Sequence, residues 1–283
     1  MGGEFSYAEC LSCGSLQLDS IPEDLSIYYP AQYYSFSGLN RSNLKTRILK
    51  SLRMRAFIWF GINWQAPMYG YWLKKLHPGF SARIADVGCG SGQLLYELYA
   101  GGYSDLSGFD PFIDRENQIV PGLTLYKQRI EESTSSFDLI MMHHAFEHMD
   151  NPDEVLKACY EKLNPGGRLL IRCPVADAQV WKESRELWVQ LDAPRHLIIP
   201  SVRGFKVQAE KLGFTLDEVE FDSSDFQFWG TELYKRGLKL DESQTKTFLT
   251  REERKSMKEK ALRYNQEGKG DQVCFYLSKP TKS

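Results

Sequence analysis

The residues best equipped for chemistry crowd into one short stretch. His143-His144-Ala145-Phe146-Glu147-His148 carries three of the five histidines, and His196 follows further along the chain. Imidazole titrates nearest neutrality, so it serves as a proton acceptor or, when neutral, as a metal ligand. His144, Glu147 and His148 stand at i, i+3 and i+4, one face of the chain if the stretch is helical. Two chemistries follow. His196 or His144 can act as general base for an oxygen nucleophile. Alternatively, His144, Glu147, His148 and His196 can hold a divalent cation that orients an acceptor. The same residues also suit capping and packing of a turn, and the expectation is a site without metal.

A second cluster binds rather than reacts. Asp86-Val87-Gly88-Cys89-Gly90-Ser91-Gly92 follows an apolar segment and precedes another. Glycines at Gly88, Gly90 and Gly92 let a backbone turn tightly and approach a ligand with no side chain between. A helix opening there would present free N–H groups to a polar or anionic ligand. A dinucleotide fingerprint reads G-x-G-x-x-G. Here the third glycine comes one residue early and an acid precedes the first, which disfavours a nicotinamide oxidoreductase. Asp110-Pro111 lies about 20 residues beyond the turn, where an acid can accept from a ribose diol.

Strands and helices must alternate to place these groups. Arg83–Val87, Leu106–Asp110, Leu123–Tyr126, Phe137–Met142 and Arg168–Cys173 read as strands, with helices expected over 93–99 and 153–163. A helix over 201–213, a strand over 214–221 and a last strand over 271–277 follow. Such alternation predicts an α/β fold, a parallel sheet with helices on both faces. Residues 1–27 look irregular, Tyr28–Phe36 forms an aromatic cluster, and 42–76 has helical periodicity with Lys45, Arg47, Lys50, Arg53 and Arg55 interleaved. This basic helix 45–55 suits an anionic membrane surface, a polyanion, or packing with its basic face in water. Residues 222–270 form a polar insertion.

Taken in order, DVGCGSG (86–92), GFDP (108–111), FDLIMMHHAFEHMDNPDEVL (137–156), LNPGGRLLIRCP (163–174) and APRHLIIPS (193–201) resemble the class I S-adenosylmethionine-dependent methyltransferases. The resemblance covers roughly residues 80–221 and implies a Rossmann-like, seven-stranded methyltransferase sheet whose last strand is antiparallel. It implies S-adenosylmethionine as cofactor, with Gly88, Cys89, Gly90 and Gly92 lining it and Asp86 meeting its amino group. Asp110, followed by Pro111, would take the ribose hydroxyls, Glu131 the adenine amine, and the His143 backbone the methionine moiety. Some relatives, among them small-RNA 2′-O-methyltransferases and quinone-pathway O-methyltransferases, use a similar His/Glu metal site with glutamate where His144 stands. That departure favours zinc, manganese or iron over magnesium. Trp181, Trp188, Asp192 and Arg195 fall in the stretch that usually covers the acceptor, where Arg195 can meet an anionic group.

The domain reading is therefore an aromatic, helical N-terminal extension over 1–78 and a methyltransferase domain over 79–283. Cys10-Leu-Ser-Cys13-Gly14 has the spacing of half a zinc knuckle, and no second pair accompanies it. Basic residues number 35 and acidic residues 37, so no global basic field exists and nucleic acid is not expected as a partner. The longest apolar run, Ala56–Trp64, is too short for a membrane span, and the N-terminus lacks a signal pattern, which leaves the cytoplasm as the expected compartment. The expected function is methyl transfer to an oxygen of a small or medium acceptor, a sugar, glycan or secondary metabolite, with RNA or a quinone as alternatives.

Overall fold

The structure is a computed structural model and describes residues 3–29, 38–63 and 66–281. A hairpin comes first, β1 (Tyr7–Glu9) and β2 (Leu16–Leu18), then helices α1 (Leu44–Phe60) and α2 (Gly70–Leu76). The alternating part follows as β3 (Arg83–Val87), α3 (Gln93–Ala100), β4 (Asp105–Phe109), β5 (Asn117–Val120), β6 (Leu123–Tyr126), β7 (Phe137–His143), α4 (Pro152–Lys162) and β8 (Leu163–Pro174). After it come α5 (Gln179–Ser184), β9 (Ile198–Ile199), α6 (Val202–Lys211) and β10 (Thr215–Phe221). Helices α7 (Phe226–Lys235) and α8 (Arg251–Gln266) and strand β11 (Gln272–Ser278) complete the chain.

The main sheet has the order β10-β11-β8-β7-β3-β4-β6-β5. Its centre is parallel (β8, β7, β3, β4, β6), and β11 runs antiparallel to both β8 and β10. Both faces are covered, so the middles of the central strands are apolar; Ile84, Ile140, Met142 and Ile171 are fully buried. Leu156 of α4 and Phe205 of α6 pack on one face, and Met54, Leu73 and Leu95 of α1, α2 and α3 on the other. A third cluster around Trp188 and Ile199 lies under the segment that carries His196.

Several expectations change. The sheet has eight strands because Asn117–Val120 folds back antiparallel on β6. Gly122 makes this reversal possible: its φ is 84°, and a Cβ there would meet the Ser104 carbonyl oxygen at 2.2 Å. The N-terminal residues are not irregular. They form the β1–β2 hairpin, and β2 pairs with β9 in a small separate sheet. The helical pattern over 42–76 breaks at Gly61, which caps α1 at φ 68°, and the helix expected to reach Leu163 ends one residue earlier. Strand β8 begins at Leu163 and runs through Asn164–Gly167, five residues ahead of the strand expected from Arg168. Most of the aromatic cluster, residues 30–36, lies outside the described residues. Among the described residues no helix is long and apolar enough to cross a membrane.

Candidate active site

The glycine turn sits where β3 ends and α3 begins. Gly88, Gly90 and Gly92 all have positive φ (75°, 51° and 78°). A Cβ on Gly88 would lie 2.5 Å from the Ala145 Cβ, so the segment after β7 rests directly on this turn. Asp110 ties the loop to the end of β4: its Oδ2 accepts from the Gly90 N–H and its Oδ1 from the Phe112 N–H, both at 2.9 Å. Cys89 turns inward, packed on Gly108, so only its backbone faces the turn's open side. Asp86, buried at the end of β3, is pushed up to about 8 by desolvation first and by the charge of Asp110 second.

This geometry fits the cofactor. Positive-φ glycines leave the turn without side chains on the ligand side, and a cationic group placed beside Asp86 would draw its raised carboxyl back down and ionise it. Further along, Glu132 is spent on the backbone, accepting from the Arg129 N–H at 2.9 Å, whereas half-buried Glu131 makes none of the hydrogen bonds that hold this turn. Pro111 is half-buried and Phe112 beside it is 78% exposed, an aromatic ring next to the loop that the sequence reading passed over. The His143 ring stacks at 4.3 Å on Trp72, which in turn stacks on Tyr69, and both of its nitrogens are without partners. Burial, Arg172 and His144 hold it well below the usual imidazole range, hence neutral.

The stretch after β7 is not a regular helix. His144 adopts φ 52°, and a single 3-10 turn spans Phe146–His148. His144 keeps Glu147 as a partner and takes Arg172 as its other one, which leaves it no nitrogen for a shared ligand. An arginine nitrogen only donates, so the 2.7 Å contact from Arg172 Nη1 makes His144 Nε2 an acceptor. Its Nδ1–H then donates to Glu147 Oε1 at 3.2 Å. Arg172 in turn donates through Nε to Asp222 Oδ2 at 2.5 Å. Both nitrogens of His144 are engaged.

Glu147, His148 and His196 do come together, each offering a ligand atom within 4.8 Å of the others. Backbone carbonyls fix both histidine tautomers. His196 Nδ1–H donates to the Gln190 carbonyl at 2.7 Å and His148 Nδ1–H to the Arg195 carbonyl at 2.8 Å, which leaves each Nε2 with its lone pair. Desolvation, then the charge of His148, lowers His196 to about 4. Burial alone would raise Glu147; the hydrogen bond from His144 and the surrounding imidazoles outweigh it and hold the carboxyl at about 2. Its Oε2 has no hydrogen-bond partner. These groups line a cavity of about 360 Å³ together with Gln190, Asp192 and Arg195.

Distant parts of the chain build this wall. Tyr7 Oη donates to the His196 carbonyl at 2.7 Å, and Tyr29 Oη lies 3.2 Å from His148 Nδ1. Arg195 is paired with Asp192, through Nε at 2.9 Å and through Nη2. Trp188 is fully buried and donates to Asp271, so it belongs to the core, with Trp181 packed beside it. Sequence reasoning missed Tyr7, Arg172, Asp222 and Gln190, since nothing local marks a residue that acts across the fold; Tyr29 lies in the aromatic cluster it noted, without a partner assigned. Cys10 and Cys13 sit in the β1–β2 turn; among the described residues the group of three or more potential metal ligands is Glu147, His148 and His196.

A parallel sheet in this order, with a glycine turn after its central strand and an acid closing the next, defines a class I S-adenosylmethionine-dependent methyltransferase. The chain belongs to a family described as a methyltransferase domain, whose model matches residues 65–219. It is 28% identical over 144 residues to a tRNA U34 carboxymethyltransferase of Helicobacter acinonychis, covering 46% of this chain and 55% of that protein. The Helicobacter pylori (strain Shi470) protein of the same name is 25% identical over 202 residues, covering 64% of this chain and 77% of the other. The chain thus spans little more than half the length of the first of these relatives. Among solved structures, the complex between the Haloferax volcanii Trm112 methyltransferase activator and a methyltransferase contains a chain matching with a TM-score of 0.50 and 13% identity, over 86% of this chain and 99% of that one.

Proposed function

We propose that the chain methylates a hydroxyl oxygen of an acceptor seated in the cavity between His148, His196 and Arg195. The observation that carries this reading is His196 itself: its Nδ1–H is held by the Gln190 carbonyl, so Nε2 faces the cavity as a proton acceptor. The cofactor supplies an electrophilic methyl group on a sulfonium. Everything else falls to the chain. Asp86 meets the cofactor's amino group, Asp110 offers its remaining lone pairs to the ribose diol, and Glu131 faces the adenine edge. The His143 backbone and the Gly88–Gly92 turn fix the methionine end. Because Ala145 rests on Gly88, the acceptor wall is tied to the donor loop, and alignment of this kind contributes about 7–11 kcal/mol to such displacements. His196 Nε2 takes the hydroxyl proton, and the neighbouring Glu147 carboxylate stabilises the imidazolium that results. Residues 1–78 complete the acceptor wall through Tyr7 and Tyr29, with the methyltransferase domain following over 79–283.

A cavity of this volume accommodates one ring, which suits a sugar or a small metabolite. The Helicobacter relatives act on tRNA, which removes the ground for setting nucleic acid aside and supports RNA as the competing acceptor. A screen of glycans, small hydroxylated metabolites and tRNA with labelled S-adenosylmethionine and mass detection of product tests the class. Binding that falls steeply with salt identifies the polyanion. No oxygen-methylated product in any fraction overturns the reading.

A second reading rests on the three acceptor atoms of Glu147, His148 and His196. Two fixed Nε2 lone pairs and an orphan carboxylate oxygen are the donor set of a divalent cation, with each histidine's other nitrogen held by a carbonyl. Stoichiometric metal in the purified protein, lost in Glu147→Gln, supports it; activity unaffected by chelation removes it.

A further inference from the structure

Helix α1 is turned inside out. Its face toward the domain carries the cations: Arg47 donates to Tyr99 Oη at 2.6 Å, and Lys50 is bound by Glu97 at 2.6 Å, beside buried Met54 and Phe57. Its outer face carries Leu44, Ile48, Leu49 and Leu52, between 54% and 67% exposed. The same surface continues through Trp59, Phe60, Ile62, Met68 and Tyr71, each more than half exposed. The sequence left this helix an anionic membrane surface, a polyanion, or packing with its basic face in water; the face turned outward carries apolar side chains. Scattered exposed leucines need no explanation, but a contiguous set on one helix and its flanking loop does.

Charge says what covers it. From residue 25 to residue 85 the chain has no aspartate or glutamate, and it has nine cations: Arg41, Lys45, Arg47, Lys50, Arg53, Arg55, Lys74, Lys75 and Arg83. The remainder, with 26 basic and 37 acidic residues, is net −11, so the near-neutral total hides a strong asymmetry. Arg41 and Lys45 are exposed at the start of the helix, beside the apolar face, and Trp59 and Phe60 stand at its end. Aliphatic side chains flanked by cations, with aromatic rings at one end and no acid in the helix itself, match the interface of an anionic bilayer: acyl chains receive the leucines, headgroup phosphates the exposed cations. A polyanion such as RNA would use the cations and leave the leucines in water.

We propose that the outer face of α1 docks this protein on anionic phospholipid membranes, lying in the interface without spanning it. The inference does not depend on the acceptor. It would bring the catalytic domain to a membrane-borne substrate or product.

The test is flotation of the full chain with phosphatidylcholine vesicles, with and without phosphatidylglycerol. The wild type should float with the anionic vesicles only, and less in high salt. Leu49→Glu with Leu52→Glu should abolish flotation. Lys45→Glu should weaken it roughly fivefold or more, from the contribution of one cation near an anionic surface. S-adenosylhomocysteine binding should be unchanged in both variants, which shows that they fold. Three results overturn the proposal: no flotation of the folded wild type, a dimer in light scattering that Leu49→Glu/Leu52→Glu dissociates, or RNA binding lost in Lys45→Glu but indifferent to the leucines.

Discussion

Tyr7 and His196, 189 residues apart in sequence, are joined by a 2.7 Å hydrogen bond from the phenol to the peptide carbonyl. Next to it, β2 pairs with β9, so the N-terminal hairpin clamps the segment that carries the proposed base. Tyr7→Phe should cost about 0.5–1.5 kcal/mol of stability, the worth of one neutral hydrogen bond. It should lower the rate of methyl transfer while leaving S-adenosylhomocysteine affinity alone. Calorimetric titration beside thermal unfolding separates the two effects, and an equal loss of cofactor affinity would contradict this division of labour.

His196 and His144 should part ways on substitution. His196→Ala is expected to slow transfer by about 10²–10⁴, the usual contribution of a general base. His144→Ala strands Arg172 Nη1 and Glu147 Oε1 and should cost about 1–3 kcal/mol of stability, with most of the turnover retained by the folded fraction. The reverse pattern in single-turnover assays would move the base to His144.

Gly88→Ala places a methyl 2.5 Å from the Ala145 Cβ and holds a non-glycine residue at φ 75°. The backbone conformation alone costs about 1–2 kcal/mol. Ala145→Gly should relieve the overlap and not the backbone strain, so the double variant recovers part of the lost stability and cofactor binding. No recovery would show that the two residues do not press on each other, and full recovery that the backbone conformation carries no cost.

Asp86 makes stability depend on pH in a defined direction. Its folded-state value of about 8 exceeds its ordinary value of 3.8, so folding takes up a proton between those limits. Stability therefore falls as pH rises through that window. His196, lowered from 6.5 to about 4, acts in the opposite sense below 6.5, and Asp271, raised to about 6, reinforces Asp86 there. Between about 6.5 and 8 Asp86 stands apart from both. Denaturant unfolding of the cofactor-free protein across this range should show declining stability, and Asp86→Asn should flatten the slope.

Much of the fold was legible because it rests on local signals. Period and apolar runs gave β3, β4, β7 and β8, and the glycine turn and Asp110, joined through the Gly90 N–H, each follow directly on one of these strands. Edge and peripheral elements were lost. Strand β5 is four residues long, and β1, β2 and β9 have two or three each, too short to show a period and stabilised by pairing across the fold. The three-histidine stretch showed its chemistry but not its partition, because His144, at φ 52°, spends both ring nitrogens on Glu147 and Arg172, whereas backbone carbonyls fix His148 and His196.

By itself, then, the sequence determined the sheet, the glycine turn and the residue types available for proton transfer, all encoded over short spans where each residue's neighbours are its partners. Only the tertiary structure decided which nitrogens are free, because a tautomer is set by the carbonyl or guanidinium that packs against it. It also decided the facing of α1. Helical periodicity gives two faces, and which one meets the domain depends on Glu97 and Tyr99, about 50 residues away, which bind the cations and turn the leucines outward.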